Sequence, residues 1–137
     1  MLQGLSRVRL NRVISEAPYR LFDISPLKTH ASCKEENEVQ IRQEQFLSLV
    51  KAKETLGSSY PPEVRRIFEK LQNIDMLADL ASHIFCSDEG ERQELLETTD
   101  SSQRLDKLMK SMRKDIAALR LNQELQGHLT DDDIPTN

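Results

Sequence analysis

Residues 60–109 read YPPEVRRIFEKLQNIDMLADLASHIFCSDEGERQELLETTDSSQRLDKLM, and this stretch predicts most of the helical bundle. It holds the start and stop signals of four helices with almost no residues to spare. The first helix is predicted to begin at Pro62, because proline suits the first helical position. Its apolar residues recur at i, i+3, i+4 and i+7 and form one stripe: Val64, Ile67, Phe68 and Leu71.

Two shorter helices are predicted to follow. Asp75 is expected to cap the first of them, because an aspartate oxygen can accept the free N–H groups of a first turn. The apolar stripe of that helix repeats the same spacing: Leu77, Leu80, Ala81 and Ile84. Asp88 with Glu91 three residues later is typical of a capping box, which predicts a short helix before the polar break at residues 98–102.

The last helix is predicted over residues 102–126. Its apolar residues recur at spacings of 4, 3, 4 and 3, which is a heptad seam: Leu105, Met109, Met112, Ile116 and Leu119. Gln123 and Gln126 occupy the next seam positions, so we expect the helix to end before Gly127. The polar tail at residues 127–137, with its three consecutive aspartates at 131–133, is expected to be a solvated end.

An antiparallel β hairpin is predicted at the start of the chain. Residues 5–14 and 19–24 alternate in the manner of strands, and the segment between them carries turn residues. Arg12 interrupts the alternating apolar face. The domain prediction is therefore a hairpin at 1–28, a linker at 29–38, and a helical bundle at 39–126 whose first helix ends at Gly57. The fold class is mainly α.

Composition bounds the functions open to this chain. Its 137 residues suit one domain, and 37% hydrophobic residues with only 4% aromatics favour a modest helical core. The net charge of −4 disfavours nucleic acid as a general partner, although residues 1–28 carry a net +3. The sequence shows no membrane-spanning run and no signal peptide, so a cytoplasmic location is expected. Cys33 and Cys86 are expected to be two unremarkable reduced thiols.

The order of several short elements resembles the N-terminal, substrate-recognition domain of the Lon ATP-dependent protease family. Residues 2–27 resemble the last hairpin of its PUA-like β subdomain, and Pro-Pro-Glu-Val at 61–64 resembles its linker before a helix. Two further stretches resemble its helical motifs. One is IDMLAD at 74–79, and the other is residues 93–105, where QELLE is followed by Asp and then by Arg-Leu. The resemblance implies a remnant of a PUA-like β subdomain, followed by a bundle of four to five helices that ends in a long helix.

The sequence departs from the family pattern mainly in the parts that carry catalysis. Met76 stands where the family has a basic residue, and the first β strands, the ATPase and the peptidase lie outside the resemblance. The chain has no phosphate-binding Gly-x-x-x-x-Gly-Lys motif, and its histidines are widely spaced. We therefore expect no catalytic residue, no cofactor, no metal and no enzymatic activity of its own.

The leading functional hypothesis is a noncatalytic Lon-type domain that recognises unfolded or tagged polypeptides for proteolysis and supports assembly, with homo-oligomers included. No membrane contact is expected. The predicted interaction surface combines hairpin aromatics and the helical seam: Tyr19, Phe22, Leu105, Met109, Met112 and Ile116. For the seam residues, packing in a helix–helix core is the competing interpretation.

Two alternatives remain open at this stage. A stand-alone oligomerisation or adaptor module would use the long helix as a coiled coil, together with the open β edge. RNA binding would use the basic residues of the hairpin: Arg7, Arg9, Arg12 and Arg20. Few aromatic side chains accompany these arginines, so a solvated face, or salt bridges to the acidic helices, is the favoured interpretation.

Overall fold

The computed structural model describes residues 2–132, with side chains for residues 2–128. Within this part of the chain the elements follow in this order: β1 (Val8–Ser15), β2 (Leu21–Pro26), α1 (Glu36–Thr55), α2 (Pro62–Lys70), α3 (Ile74–Phe85), α4 (Glu89–Glu97) and α5 (Ser101–Asp132). The two strands pair antiparallel. The predicted class is confirmed: a mainly α protein in which an N-terminal hairpin precedes a helical bundle ending in a long helix.

A register shift in β1 decides what each face of the hairpin presents. The shift falls between Leu10 and Arg12, beyond which Arg12 lies opposite Asp23 and Val13 opposite Phe22. Because an extra residue reverses the alternation of side chains, Val13 joins Leu10 on the apolar face. The prediction that Arg12 interrupts this face is therefore wrong. Its Nε atom lies 3.8 Å from the carboxylate of Asp23, on the opposite face.

The segment between β2 and α1 is tied to the start of α5. The N–H of His30 donates to the carbonyl of Thr99 (3.1 Å), and the N–H of Ser101 donates to the carbonyl of His30 (2.8 Å). The predicted linker at 29–38 is thus held against the bundle. α1 begins at Glu36, inside that linker, and the acidic residues of its first turn suit the positive end of the helix dipole.

Side-chain caps set the starts of α3 and α4. Asn73 Oδ1 accepts the N–H groups of Asp75 (2.9 Å) and Met76 (3.1 Å), so the prediction of Asp75 as the cap is wrong. Asparagine and aspartate are both good caps, and here the earlier residue takes the position. The predicted cap of α4 is confirmed, because the carboxylate of Asp88 accepts the N–H of Glu91 at 2.8 Å.

The core lies where α1, α2, α3 and α5 meet. Phe46 is fully buried at its centre, with its ring centroid 4.9 Å from that of Phe68 and 5.4 Å from that of Phe85. Both pairs meet edge to face, a favourable arrangement for aromatic rings. α5 contributes the longest run of buried side chains: Leu105, Leu108, Met109, Met112 and Ile116.

The last helix is longer than its sequence predicts. α5 continues through Gly127 to Asp132, so the predicted end at Gln126 is wrong. A glycine inside a helix costs about 1 kcal/mol relative to alanine, and that cost does not end the helix here. Side chains at 120–128 are all exposed. The predicted polar tail therefore begins as helix, and its residues 133–137 lie outside the described part.

Candidate protein-interaction site

The seam of α5 belongs to the core. Leu105 and Met112 are completely buried, Met109 is 1% exposed and Ile116 is 5% exposed. Their spacing of 3 and 4 places all four on one side of the helix. Leu105, Met109 and Met112 belong to the main core cluster, and the helix packs on α1 and α3. The structure thus assigns these residues to the helix–helix core, so the surface of a single chain does not include this part of the predicted interaction site.

The two hairpin residues of the predicted site lie outside the core. Tyr19, in the connection between the strands, is 65% exposed, and Phe22 is partly buried. Phe22 shares its face with three exposed aliphatic side chains, Leu10, Val13 and Ile24. We call these four residues, Leu10, Val13, Phe22 and Ile24, the hairpin apolar face. It is a continuous apolar surface that the bundle leaves uncovered.

Arg7 fastens the hairpin to the helices. Its guanidinium donates to both carboxylate oxygens of Asp79, at 2.6 and 3.4 Å, and its Nε donates to the carbonyl of Leu96 at 3.1 Å. The Arg7 side chain is only 13% exposed. This arginine therefore serves an internal contact between β1, α3 and α4. The contact of Arg12 with Asp23 is longer, at 3.8 Å, and Arg12 stays 78% exposed, so Arg9, Arg12 and Arg20 all remain exposed and only Arg7 leaves the predicted basic patch.

Arg104 lies beneath that contact and is completely buried. Its Nη1 donates to Asp75 (3.0 Å) and to Asp79 (2.8 Å), while Nε and Nη2 both donate to the carbonyl of Thr98. Asp75 also accepts the hydroxyl of Ser101 at 2.6 Å. Burial acts to raise the pKa of Asp75, but the hydrogen bonds from Ser101 and Arg104 outweigh it, and the pKa lies below its ordinary value.

We call Arg7, Asp75, Asp79, Ser101 and Arg104 the Arg104 network. It joins the hairpin to α3, to the end of α4 and to the first turn of α5. All five members lie within the stretches through which the sequence resembles the Lon family: 2–27, 74–79 and 93–105. No local pattern indicated that they converge, because Arg7 and Asp79 are separated by 72 residues.

Asp100 holds the start of α5 and the docked linker together. Its Oδ1 accepts the N–H groups of Ser102 (2.9 Å) and Gln103 (3.2 Å), and also the hydroxyl of Ser32. Nε2 of His30 lies 3.6 Å from its other oxygen. Burial acts to raise the pKa of Asp100. The hydrogen bonds from Gln103 and Ser32 outweigh that effect, so the pKa lies below its ordinary value of 3.8.

This lowered pKa predicts acid sensitivity. A carboxyl group whose pKa is lower in the folded state stabilises the protein above its unfolded pKa, and that stability is lost as the pH falls through the folded pKa. We expect the free energy of unfolding to fall between about pH 5 and pH 2, and Asp100→Asn to flatten part of that fall. Asparagine keeps the cap but not the charge, so the variant should be less stable than the wild type at pH 7, and the two curves should converge as the pH falls.

Urea denaturation at a series of pH values measures this effect. Asp88→Asn is the matched control, because it makes the same change at the exposed cap of α4. If the Asp100→Asn curve runs parallel to that of the wild type at every pH, the lowered pKa has no consequence for stability.

Metal-ligating side chains and the two cysteines are the remaining candidates for chemistry. Within the part of the chain that the structure describes, no three His, Cys, Asp or Glu side chains come together to hold a metal ion. Cys33 and Cys86 are both buried, and burial raises the pKa of both thiols, so neither is an activated nucleophile. None of the described helices combines the length and the apolar character needed to cross a membrane.

Comparison with known proteins gives a consistent set of relatives. The Lon protease of Citrifermentans bemidjiense is 26% identical over 130 residues, or 95% of this chain, and that of Amoebophilus asiaticus is 26% identical over 132 residues, or 96%. The Lon protease homolog 2, peroxisomal, of Bos taurus is 26% identical over 140 residues, or 97% of this chain. The matched region is 16% of the length of each relative.

A family model matches directly as well. It is described as the ATP-dependent protease La (LON) substrate-binding domain, and it matches residues 1–114. That range contains both strands, α1 to α4, and the half of α5 that carries the Arg104 network. Because the match covers most of the chain, the resemblance predicted from the sequence is confirmed: this chain belongs to the LON substrate-binding domain family.

Proposed function

We propose that the chain is a noncatalytic Lon-type domain that recognises unfolded or tagged polypeptides. The observation that carries this proposal is the hairpin apolar face, on which Leu10, Val13 and Ile24 are 57%, 47% and 51% exposed. A continuous exposed apolar surface is typical of a site that binds another polypeptide. The description of the family as a substrate-binding domain supports the same role.

The hairpin offers a second mode of contact besides its apolar side chains. A two-stranded sheet leaves an unpaired backbone edge on each strand, and an extended polypeptide can add to such an edge as a further strand. Backbone hydrogen bonds of this kind do not depend on the sequence of the added strand. This independence suits a domain that binds many unfolded chains. Tyr19 lies at the end of the hairpin and extends its apolar surface.

We also propose that the end of α5 supports assembly. Leu121 and Leu125 lie one turn apart and are 56% and 52% exposed, so they form a short apolar stripe beyond the buried seam. The same stripe favours the second candidate function, a stand-alone oligomerisation module that uses α5 and the β edge. RNA binding is the weaker third candidate, because Arg7 is committed to Asp79 and few aromatic side chains accompany the exposed arginines. The proposed location is the cytoplasm.

Client binding is tested on the hairpin apolar face. We expect the double variant Leu10→Ser, Ile24→Ser to bind a reduced, unfolded model protein about tenfold more weakly or worse, because two apolar side chains leave the interface. Size exclusion coupled to light scattering detects the complex. Fluorescence anisotropy of the labelled client measures the dissociation constant.

Ile41→Ser with Ile67→Ser is the matched control. Both isoleucines are about as exposed as the hairpin residues, at 53% and 48%, but they lie on α1 and α2. If the control variant binds the client as weakly as the hairpin variant does, the hairpin apolar face is not the recognition site. A discrete homo-oligomer that ignores the client would favour the oligomerisation module.

A further inference from the structure

A cleft of about 460 Å³ lies between the residues that lead into β1 and the facing sides of α3 and α4. It is shallow and open to solvent. Its apolar wall is formed by Leu95 and by Leu96, which is 52% exposed. Three arginines, Arg7, Arg92 and Arg104, line the rest of the cleft together with polar residues. The cleft thus combines basic and apolar surface, and it is separate from the hairpin apolar face.

Arg92 is the arginine of this cleft that the fold leaves available. Its Nε donates to the carbonyl of Cys86, at the end of α3, with a distance of 2.6 Å. This bond holds the Nε side of the guanidinium against the end of α3. In the part of the chain that the structure describes, Arg92 forms no salt bridge, and its two terminal nitrogens have no hydrogen-bond partner. The free side of a fixed guanidinium fork matches the two oxygens of a carboxylate.

The charges that line the cleft favour an anion as well. Arg7, Arg92 and the buried Arg104 line it, whereas Asp79 is its single lining carboxylate. Counting Asp75, which binds Arg104 from outside the cleft, these residues give three positive and two negative groups. The carboxylates of Asp88 and Glu91 lie beyond this lining, near Cys86. The other two arginines are committed to the Arg104 network, so the excess charge belongs to Arg92.

We propose that this cleft binds an acidic side chain, Asp or Glu, of a bound polypeptide, with an apolar neighbour packed on Leu96. The inference rests on the proposed function and adds a preference to it: clients would be favoured where a carboxylate stands next to apolar residues. An internal side chain fits better than a chain end, because an open, shallow cleft lets the polypeptide continue in both directions. Arg92 is the binding residue, and Leu95 and Leu96 form the apolar wall.

Fluorescence anisotropy tests the proposal with a short labelled peptide that has blocked termini and one Glu between two leucines. We expect Arg92→Gln to weaken its binding about tenfold, as for the loss of one charge-assisted bidentate contact. The same peptide with Gln in place of Glu should bind the wild type and Arg92→Gln equally. Arg92→Lys, which keeps the charge without the fork, should weaken the Glu peptide by less than Arg92→Gln does.

Arg66→Gln is the matched control, since it removes the same charge from an exposed position on α2. Equal weakening by Arg66→Gln would show attraction to overall charge and would overturn the proposal. Equal affinity of the wild type for the Glu and Gln peptides would overturn it too. A third peptide has neutral side chains and a free C-terminus. If it binds as tightly as the Glu peptide, the cleft binds a terminal carboxylate, and the proposal of an acidic side chain is overturned.

A reduced, unfolded protein in the same assay separates this inference from the proposed function. If that protein binds the wild type and Arg92→Gln equally well, the cleft preference is overturned and recognition by the hairpin stands. If neither the peptide nor the unfolded protein binds the wild type, both proposals fail. Equal urea midpoints for Arg92→Gln and Arg66→Gln confirm that the two variants are compared in the folded state.

Discussion

Replacing Arg104 by alanine is expected to lower the free energy of unfolding by about 3 kcal/mol or more. The guanidinium is completely buried and neutralises Asp75 and Asp79, which lie one turn apart on α3. Without it, Arg7 still binds Asp79, but Asp75 loses the guanidinium that neutralises it at a partly buried site. The carbonyl of Thr98 also loses both of its donors from this side chain. Few single changes in this chain remove so many contacts between elements.

Urea denaturation measures this loss, and two variants sharpen the comparison. Arg104→Lys keeps the charge but loses the fork, so it should fall between the wild type and Arg104→Ala. Arg113→Ala removes an exposed arginine from the same helix and should change stability by no more than about 0.5 kcal/mol. A loss below about 1 kcal/mol for Arg104→Ala would mean that the Arg104 network contributes little to the fold.

Met112→Ala is expected to destabilise the protein by about 2–5 kcal/mol, because it opens a cavity at a completely buried position. This result decides between the two interpretations of the α5 seam. A core residue changes stability when it is truncated, whereas a residue of an exposed binding surface changes affinity and leaves the fold intact. The structure places Met112 in the core cluster, on a helix that packs on α1 and α3.

The matched control for Met112 lies on the same helix. Leu121 is 56% exposed, and Leu121→Ala should change the stability of the monomer by no more than about 0.5 kcal/mol. Its effect should instead be seen in light scattering, if α5 supports assembly. If Met112→Ala is as stable as the wild type but no longer forms oligomers or binds a client, the seam is part of the interaction surface and not of the core.

Helical periodicity was readable from the sequence because it depends on near neighbours. The stripe from Val64 to Leu71 and the seam from Leu105 to Ile116 each follow the turn of a single helix. A sequence stripe marks which side of a helix is buried, but it cannot say whether the covering surface belongs to the same chain. For this reason the seam fitted both an interaction surface and a core before the structure was known.

Features that depend on residues far apart in the sequence could not be predicted from such local patterns. The bulge between Leu10 and Arg12 is fixed by pairing with β2, so counting alternate residues could not place Val13 on the apolar face. The Arg104 network joins residues from both ends of the chain, and each member alone looks like an ordinary surface charge. The cap of α3 was misplaced for a simpler reason, since Asn73 and Asp75 are both good caps.

The length of α5 also has a mechanical consequence. Ile116 is the last buried residue of the seam, and from there to Asp132 the helix continues for about 24 Å, at 1.5 Å per residue. A rod of that length acts as a lever whose fixed end is packed on α1 and α3. A tilt of about 10° at the fixed end carries the tip about 4 Å. Small shifts in the helical core would thus become larger displacements at the tip of α5.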